Sequence, residues 1–252
     1  KIDKMSLSPI NQTNLFSLDN YLLEFVELYK KKRLPTKILL SGDKGLGKST
    51  LAFHLVNYIL SINEEHPYIV KESKINPDNK SYKLILNNTH PNLLLIDGTD
   101  KKFIEVAKIR EILNFSSKTS FSNKKKIVLI NNVEKMNINA SNALLKILEE
   151  PSTNLFFILI HNSHKKLIST INSRCIKFNF FITKSEKEKI INNIIDGGFY
   201  ESLSSDFKIR YLSPKFYVDL YDFINKEKIE LNDLDINFLL NYIFDKKNYL
   251  KD

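Results

Sequence analysis

Lys37-Ile-Leu-Leu-Ser-Gly-Asp-Lys-Gly-Leu-Gly-Lys-Ser49 is the stretch on which the fold turns. Its first residues form a short apolar run opening onto glycine, the signature of a buried strand by length and flanks. From Thr50 to Ser61 the apolar residues fall at helical spacing, so a helix follows. Between them, Gly42 to Ser49 fits the phosphate-loop pattern of two glycines with four residues between them, followed by Lys and Ser. Glycine lets successive backbone N–H groups turn inward on phosphate oxygens at the positive end of the helix dipole. The candidate nucleotide contacts are Gly42, Asp43, Lys44, Gly45, Leu46, Gly47, Lys48, Ser49 and Thr50. Lys48 is expected to reach the terminal phosphates and Ser49 to ligate Mg²⁺, with ATP or ADP as the nucleotide. The whole chain has 6 glycines, which makes a chance match at this strand-to-helix junction improbable. The competing reading is a turn that keeps this shape without binding nucleotide.

Outward from the loop, the same alternation continues. An amphipathic helix is predicted over residues 14–32, stopped by Pro35. Residues 62–90 read as polar and irregular. Further strands are predicted at Leu93–Asp97, Lys126–Ile130, Leu155–Ile160 and Cys175–Phe181, with helices at Phe103–Phe115 and Ala140–Glu150, the latter ended by Pro151. Short apolar strands alternating with helices imply an α/β fold, a parallel doubly wound sheet covered on both faces. After Phe181 the pattern becomes helical only. Ser185 to Glu188 reads as a capping box, Gly197-Gly198 as a helix stop, and Ile236–Phe244 as the last helix. The best domain break is near residue 181.

The bulk properties narrow the class without choosing within it. The chain has 252 residues, enough for one large or two smaller domains, and 42% of them are hydrophobic, as in an ordinary soluble protein. No apolar run reaches the roughly 18 residues of a membrane span, and the first residues lack a signal-peptide core. Because the sequence starts at Lys1 rather than Met, it is expected to be a trimmed piece. The lone Cys175 excludes an internal disulfide and a cysteine-rich zinc site, which fits a reducing, cytoplasmic setting. The net charge of +9 favours phosphate backbones, although lysine enrichment also follows from genome composition. Only Arg33, Arg110, Arg174 and Arg210 are arginines. Their scarcity makes each informative, since lysine cannot replace the planar fork that clamps a phosphate.

Hydrolysis of a nucleotide needs a strand ending in Asp for the metal shell and a neighbouring carboxylate to orient water. Leu93–Asp97 has the Asp but is followed by Gly98. Lys126–Ile130 is followed by Asn131-Asn132, amides at both decisive positions. An amide is an uncharged, weaker metal ligand and takes no proton.

Asn131-Asn-Val-Glu-Lys-Met136, Ala140-Ser-Asn-Ala-Leu-Leu-Lys-Ile-Leu-Glu-Glu-Pro151 and Ser173-Arg-Cys175 together resemble the AAA+ clamp-loader subunits of bacterial DNA polymerase III, most closely the delta-prime branch. His90-Pro-Asn-Leu and the Ile104–Ile112 segment resemble the same family, and the likeness covers roughly residues 10–230. It implies an AAA+ core at 1–181, a helical lid at 182–228 and the start of a helical collar at 229–252. It places Asn131 and Asn132 at the hydrolytic pair, so Asp97 becomes an ordinary strand end. It implies that Arg174 is an arginine finger presented in trans to a neighbour's ATP, and that Asn162 senses the terminal phosphate. The implied partners are gamma/tau and delta-type subunits, with the sliding clamp and primed DNA engaged through the assembly and no membrane. The chain itself would hydrolyse nothing while serving a DNA-directed DNA polymerase. The family's four-cysteine zinc module and its lid arginine are both missing here, the latter's place taken by Leu212-Ser-Pro-Lys215.

Plainer readings stand beside these. Arg174 also suits a surface ion pair, and Asn162 a turn. Cys175 reads as a small core residue, His161 and His164 as loop residues, Glu149-Glu150 and Lys124-Lys-Lys126 as solvated. The rival function is a stand-alone phosphate-loop ATPase or kinase using Asp97 as its metal carboxylate; a second is a pure scaffold that neither binds nucleotide nor supplies an arginine.

Overall fold

The computed structural model describes residues 8–117, 125–149, 155–195, 198–209, 212–229 and 235–245. Glu150, Pro151, Lys124, Gly197 and Arg210 lie outside them. The chain divides into two compact units, Lys1–Phe181 and Ile182–Asp252.

In the first unit the order is α1 (Asp19–Lys30), β1 (Lys37–Gly42), α2 (Lys48–Ser61), α3 (Lys80–Leu86), β2 (Leu93–Asp97), α4 (Val106–Ser117), β3 (Lys126–Asn131), α5 (Ile138–Glu149), β4 (Leu155–Asn162), α6 (Ser169–Arg174) and β5 (Ile176–Asn179). The strands form one sheet in the order β2-β3-β4-β1-β5, and every pairing is parallel. Strands β1, β3 and β4 are buried almost end to end, which is why they read as continuous apolar runs rather than alternating ones. Successive side chains point to opposite faces. Leu39, Val128, Ile130, Phe157 and Leu159 pack with Ile109 and Ile112 of α4 and Leu144 and Leu148 of α5. The alternate residues Ile38, Leu40, Ile127, Leu129 and Ile158 are equally buried, as are Leu51 and Leu55 of α2. Each such side chain contributes roughly 1.5–3 kcal/mol by leaving water. Among the described residues no helix is long and apolar enough to cross a membrane.

Several local expectations are corrected. Residues 62–90 are not wholly irregular: Asn79 accepts a hydrogen bond from the Tyr82 N–H and caps α3, and Tyr82 and Ile85 bury its inner face. The first helix starts at Asp19 rather than residue 14; Leu15 and Leu18 are still buried, but from the segment leading into it. Helix α6 was not foreseen, and it takes the place of loop before a fifth strand shorter than expected.

The second unit holds α7 (Lys184–Ile194), α8 (Phe199–Ser202), α9 (Ser205–Ile209), α10 (Pro214–Glu227) and α11 (Ile236–Asp245). The capping box that opens α7 is Thr183 with Glu186, two residues earlier than the sequence suggested. The Thr183 hydroxyl is the one placed to accept the Glu186 N–H, at 3.2 Å. Pro214 stands in the first turn of α10, where its missing N–H costs nothing. The Tyr217 hydroxyl, fully buried, donates to the Phe207 carbonyl at 2.7 Å. Tyr242 of α11 donates to Glu227 of α10 at 2.9 Å.

Candidate nucleotide site and the exposed arginine

The loop between β1 and α2 owes its path to its glycines. A Cβ on Gly42 would lie 2.8 Å from the Phe180 carbonyl oxygen, because the chain leaving β5 passes against it. Gly45 and Gly47 have φ of 86° and 85°, a left-handed conformation that L side chains resist. Gly47 is the residue before the first turn of α2, so the loop's N–H groups and the positive end of the helix dipole meet here. Leu46 is buried and anchors the loop. Lys44 is exposed, and Thr50 sits half-buried in the first turn of α2.

Lys48 is only 6% exposed. Its ammonium donates to the Gly42 and Asp43 carbonyls at 2.8 and 2.6 Å. Burial pushes its pKa down to about 8, with the Glu134 and Asp43 carboxylates working in the other direction. Asp43 accepts from the Ser163 hydroxyl at 2.8 Å and lies 3.0 Å from His164 Nε2.

The parallel register brings the ends of β2 and β3 level, pairing Asp97 with Asn131. The Ser49 hydroxyl donates to Asn131 Oδ1 at 3.1 Å. The other side of that amide donates to Asp97 Oδ1 and to the Thr99 hydroxyl, both at 3.1 Å. Asp97 also accepts from the Thr99 N–H and hydroxyl at 2.8 and 2.6 Å. Asn131, not Asp97, is therefore the strand-end side chain that touches Ser49. Asn132 follows in a left-handed conformation, φ 58°, which Asn tolerates better than most residues.

Asn162 stands opposite Gly42 in the β1–β4 register. Its side-chain oxygen accepts from the His164 N–H at 3.2 Å, a local turn contact. Its backbone N–H donates to Glu134 Oε2 at 3.3 Å. Glu134 was missed in the sequence: the 3-10 turn Val133–Lys135 swings it back toward the loop, and no spacing rule announces that. His161 is not a loop residue either. It lies in β4, buried, with its ring nitrogens on the Ser41 hydroxyl and the Lys165 carbonyl at 3.0 and 2.9 Å.

Arg174 ends α6. Its guanidinium donates to the Thr170 carbonyl at 3.0 Å and pairs with Glu149 at the end of α5. The pair is solvent-accessible, with side chains 33% and 49% exposed. Glu149 is thus the arginine's partner rather than a merely solvated helix end. Cys175 beside it is buried, and burial pushes its thiol up to about 11, which makes it a core residue and not a nucleophile.

A five-stranded parallel sheet of this order, with a phosphate loop after the first strand and a following helical unit, defines an AAA+ core. A solved structure of a DNA polymerase III gamma subunit-related protein from Thermotoga maritima shares the fold, with a TM-score of 0.55 at 21% identity over 88% of this chain and 66% of that one. The family model described as DNA polymerase III, delta subunit, matches residues 18–183. The chain belongs to that family, in its delta-prime branch. DNA polymerase III subunit delta' of Pseudomonas aeruginosa is 34% identical over 140 residues, 55% of this chain and 41% of that protein. The subunit delta' of Buchnera aphidicola subsp. Baizongia pistaciae is 29% identical over 228 residues, 85% of this chain and 63% of that one. The chain spans about half the length of the curated relatives it matches.

Proposed function

We propose that this chain is a non-hydrolysing member of a clamp loader, acting with gamma/tau and delta-type subunits to place a sliding clamp on primed DNA. The observation that carries this reading is the Ser49–Asn131 contact at 3.1 Å. Ser49 is the hydroxyl a phosphate loop turns toward Mg²⁺, and the strand-end group beside it is a neutral amide. A metal shell lacking that carboxylate is weakened, and Asn132 takes no proton from water. Asp97 sits one strand further out, engaged by Asn131 and Thr99, which argues against a stand-alone ATPase or kinase built on it.

The residues present do fit a nucleotide. The loop N–H groups and the Lys48 ammonium form a buried cationic cradle, and Ser49 adds a hydroxyl at its edge. ATP or ADP with Mg²⁺ would be held by residues 42–50, and in a hydrolysing neighbour such a nucleotide supplies the phosphoryl group for transfer.

Arg174 is the residue offered to that neighbour. It stands at a helix end and, among the described residues, is engaged by the Thr170 carbonyl and the Glu149 carboxylate. Exposed ion pairs contribute about 0–1 kcal/mol, so exchanging Glu149 for phosphoryl oxygens on another subunit costs little. A guanidinium of this kind stabilises charge that develops in phosphoryl transfer.

The test is a comparison of turnover. The purified chain is expected to release phosphate from ATP no faster than a Lys48→Ala control. Robust turnover by the wild-type chain alone, absent in that control, would overturn the non-hydrolysing reading.

A further inference from the structure

We infer that Glu134 sets the nucleotide preference of the phosphate loop, holding it toward a nucleoside diphosphate and against a triphosphate. The inference rests on the reading above that the loop binds nucleotide, and names its ligand class more narrowly.

The geometry is a chain of contacts. The Lys48 ammonium is 2.8 Å from the Gly42 carbonyl. Gly42 is paired across the sheet with Asn162. The Asn162 N–H holds Glu134 Oε2 at 3.3 Å. The carboxylate is therefore held at the carboxyl end of β4, beside the end of β1 from which the loop leaves, where ligands of such sheets sit. Its sequence neighbour does not neutralise it: the Lys135 ammonium donates to the Thr99 and Lys101 carbonyls at 2.8 and 3.0 Å. The cation that Glu134 influences is the buried Lys48, whose charged form it favours together with Asp43.

The backbone of a phosphate loop cradles the inner phosphates, while its lysine reaches the outer ones. A fixed negative charge that acts on the lysine opposes the outermost phosphate most. The inner phosphates rely on N–H groups of the loop itself and feel it less. In a partly buried site, one like charge near the outermost phosphate is enough to change affinity about tenfold.

The experiment titrates fluorescent ADP and a fluorescent, non-hydrolysable ATP analogue into the wild-type chain and into Glu134→Gln, with Lys48→Ala as the site control. Gln keeps an oxygen for the Asn162 N–H and removes only the charge. Wild type is expected to bind the diphosphate about tenfold more tightly than the triphosphate analogue. Glu134→Gln is expected to narrow that ratio to about twofold or less, by tightening the triphosphate. An unchanged ratio, or equal weakening of both ligands, would overturn the inference while leaving nucleotide binding intact. Failure of the wild-type chain to bind either ligand would instead overturn the nucleotide-binding reading itself.

Discussion

The two cations to which the proposed function gives a role, Lys48 and Arg174, are held in opposite ways. At the phosphate loop the cation is buried: Lys48 is 6% exposed and tied to two carbonyls of its own loop. At the end of α6 the cation is outward: the Arg174 side chain is 33% exposed and held by one helix carbonyl and one surface carboxylate. Burying an ammonium costs free energy, whereas leaving a guanidinium at the surface costs almost none. The difference matches the roles proposed for them. A buried cation suits a ligand that enters and stays, and an exposed one suits a charge brought by another chain.

The largest effect expected from this contrast is at Arg174. In the assembled loader, Arg174→Ala should lower turnover at the one neighbouring ATP site by about a thousandfold, the lower range for removal of an arginine finger. Single-turnover measurements on the assembly would show this as one site falling silent while the others fire. Nucleotide binding to this chain's own loop should not change. An assembly whose ATPase is indifferent to the substitution would leave Arg174 as an ordinary surface residue.

A smaller effect, and opposite in kind, is expected at Lys48. Its folded pKa of about 8 lies below the ordinary value of 10.5. Between those two pH values the unfolded chain holds a proton that the folded chain has released, so this group makes stability rise with pH across that window. Relative to Lys48→Met, which has nothing to titrate, the wild-type chain should gain about 2 kcal/mol between pH 7 and pH 9.5. Denaturant unfolding of both proteins at the two pH values measures it. A difference that stays flat would mean the ammonium is better solvated than its position implies.

These same two regions divide what could be read in the sequence from what could not. The loop was legible because its residues are contiguous and its flanking strand is an unbroken apolar run, Ile38 to Leu40, buried on both faces. The parallel sheet was legible for the same reason in β3 and β4. Helices α3 and α6 were not, since 7 and 6 residues give hardly two turns of periodicity; α3 leans on its Asn79 cap and α6 on the burial of Ile171. Glu134 escaped because its meaning depends on strand register. It lies 28 residues from the Asn162 N–H that holds it, and only the β3–β4 pairing brings the two together. The Arg174–Glu149 pair, 25 residues apart across α5 and α6, is hidden in the same way.

That pair supplies the smallest predicted effect and the sharpest test of the contrast. If Arg174 is held in readiness for another chain, its bond to Glu149 must be weak enough to exchange. Glu149 is exposed and the Arg174 side chain is a third exposed, so water reaches the pair and screens its attraction, and ordering two long side chains offsets much of the rest. Glu149→Gln should therefore change stability by less than about 1 kcal/mol, and the assembled ATPase should hold or rise slightly as the guanidinium is released. A loss of more than about 2 kcal/mol would place the pair among structural contacts of the kind seen only when a buried charge loses its partner. In that case Arg174 would be a strut between α5 and α6, bound as firmly as Lys48, and the difference between the two cations would disappear.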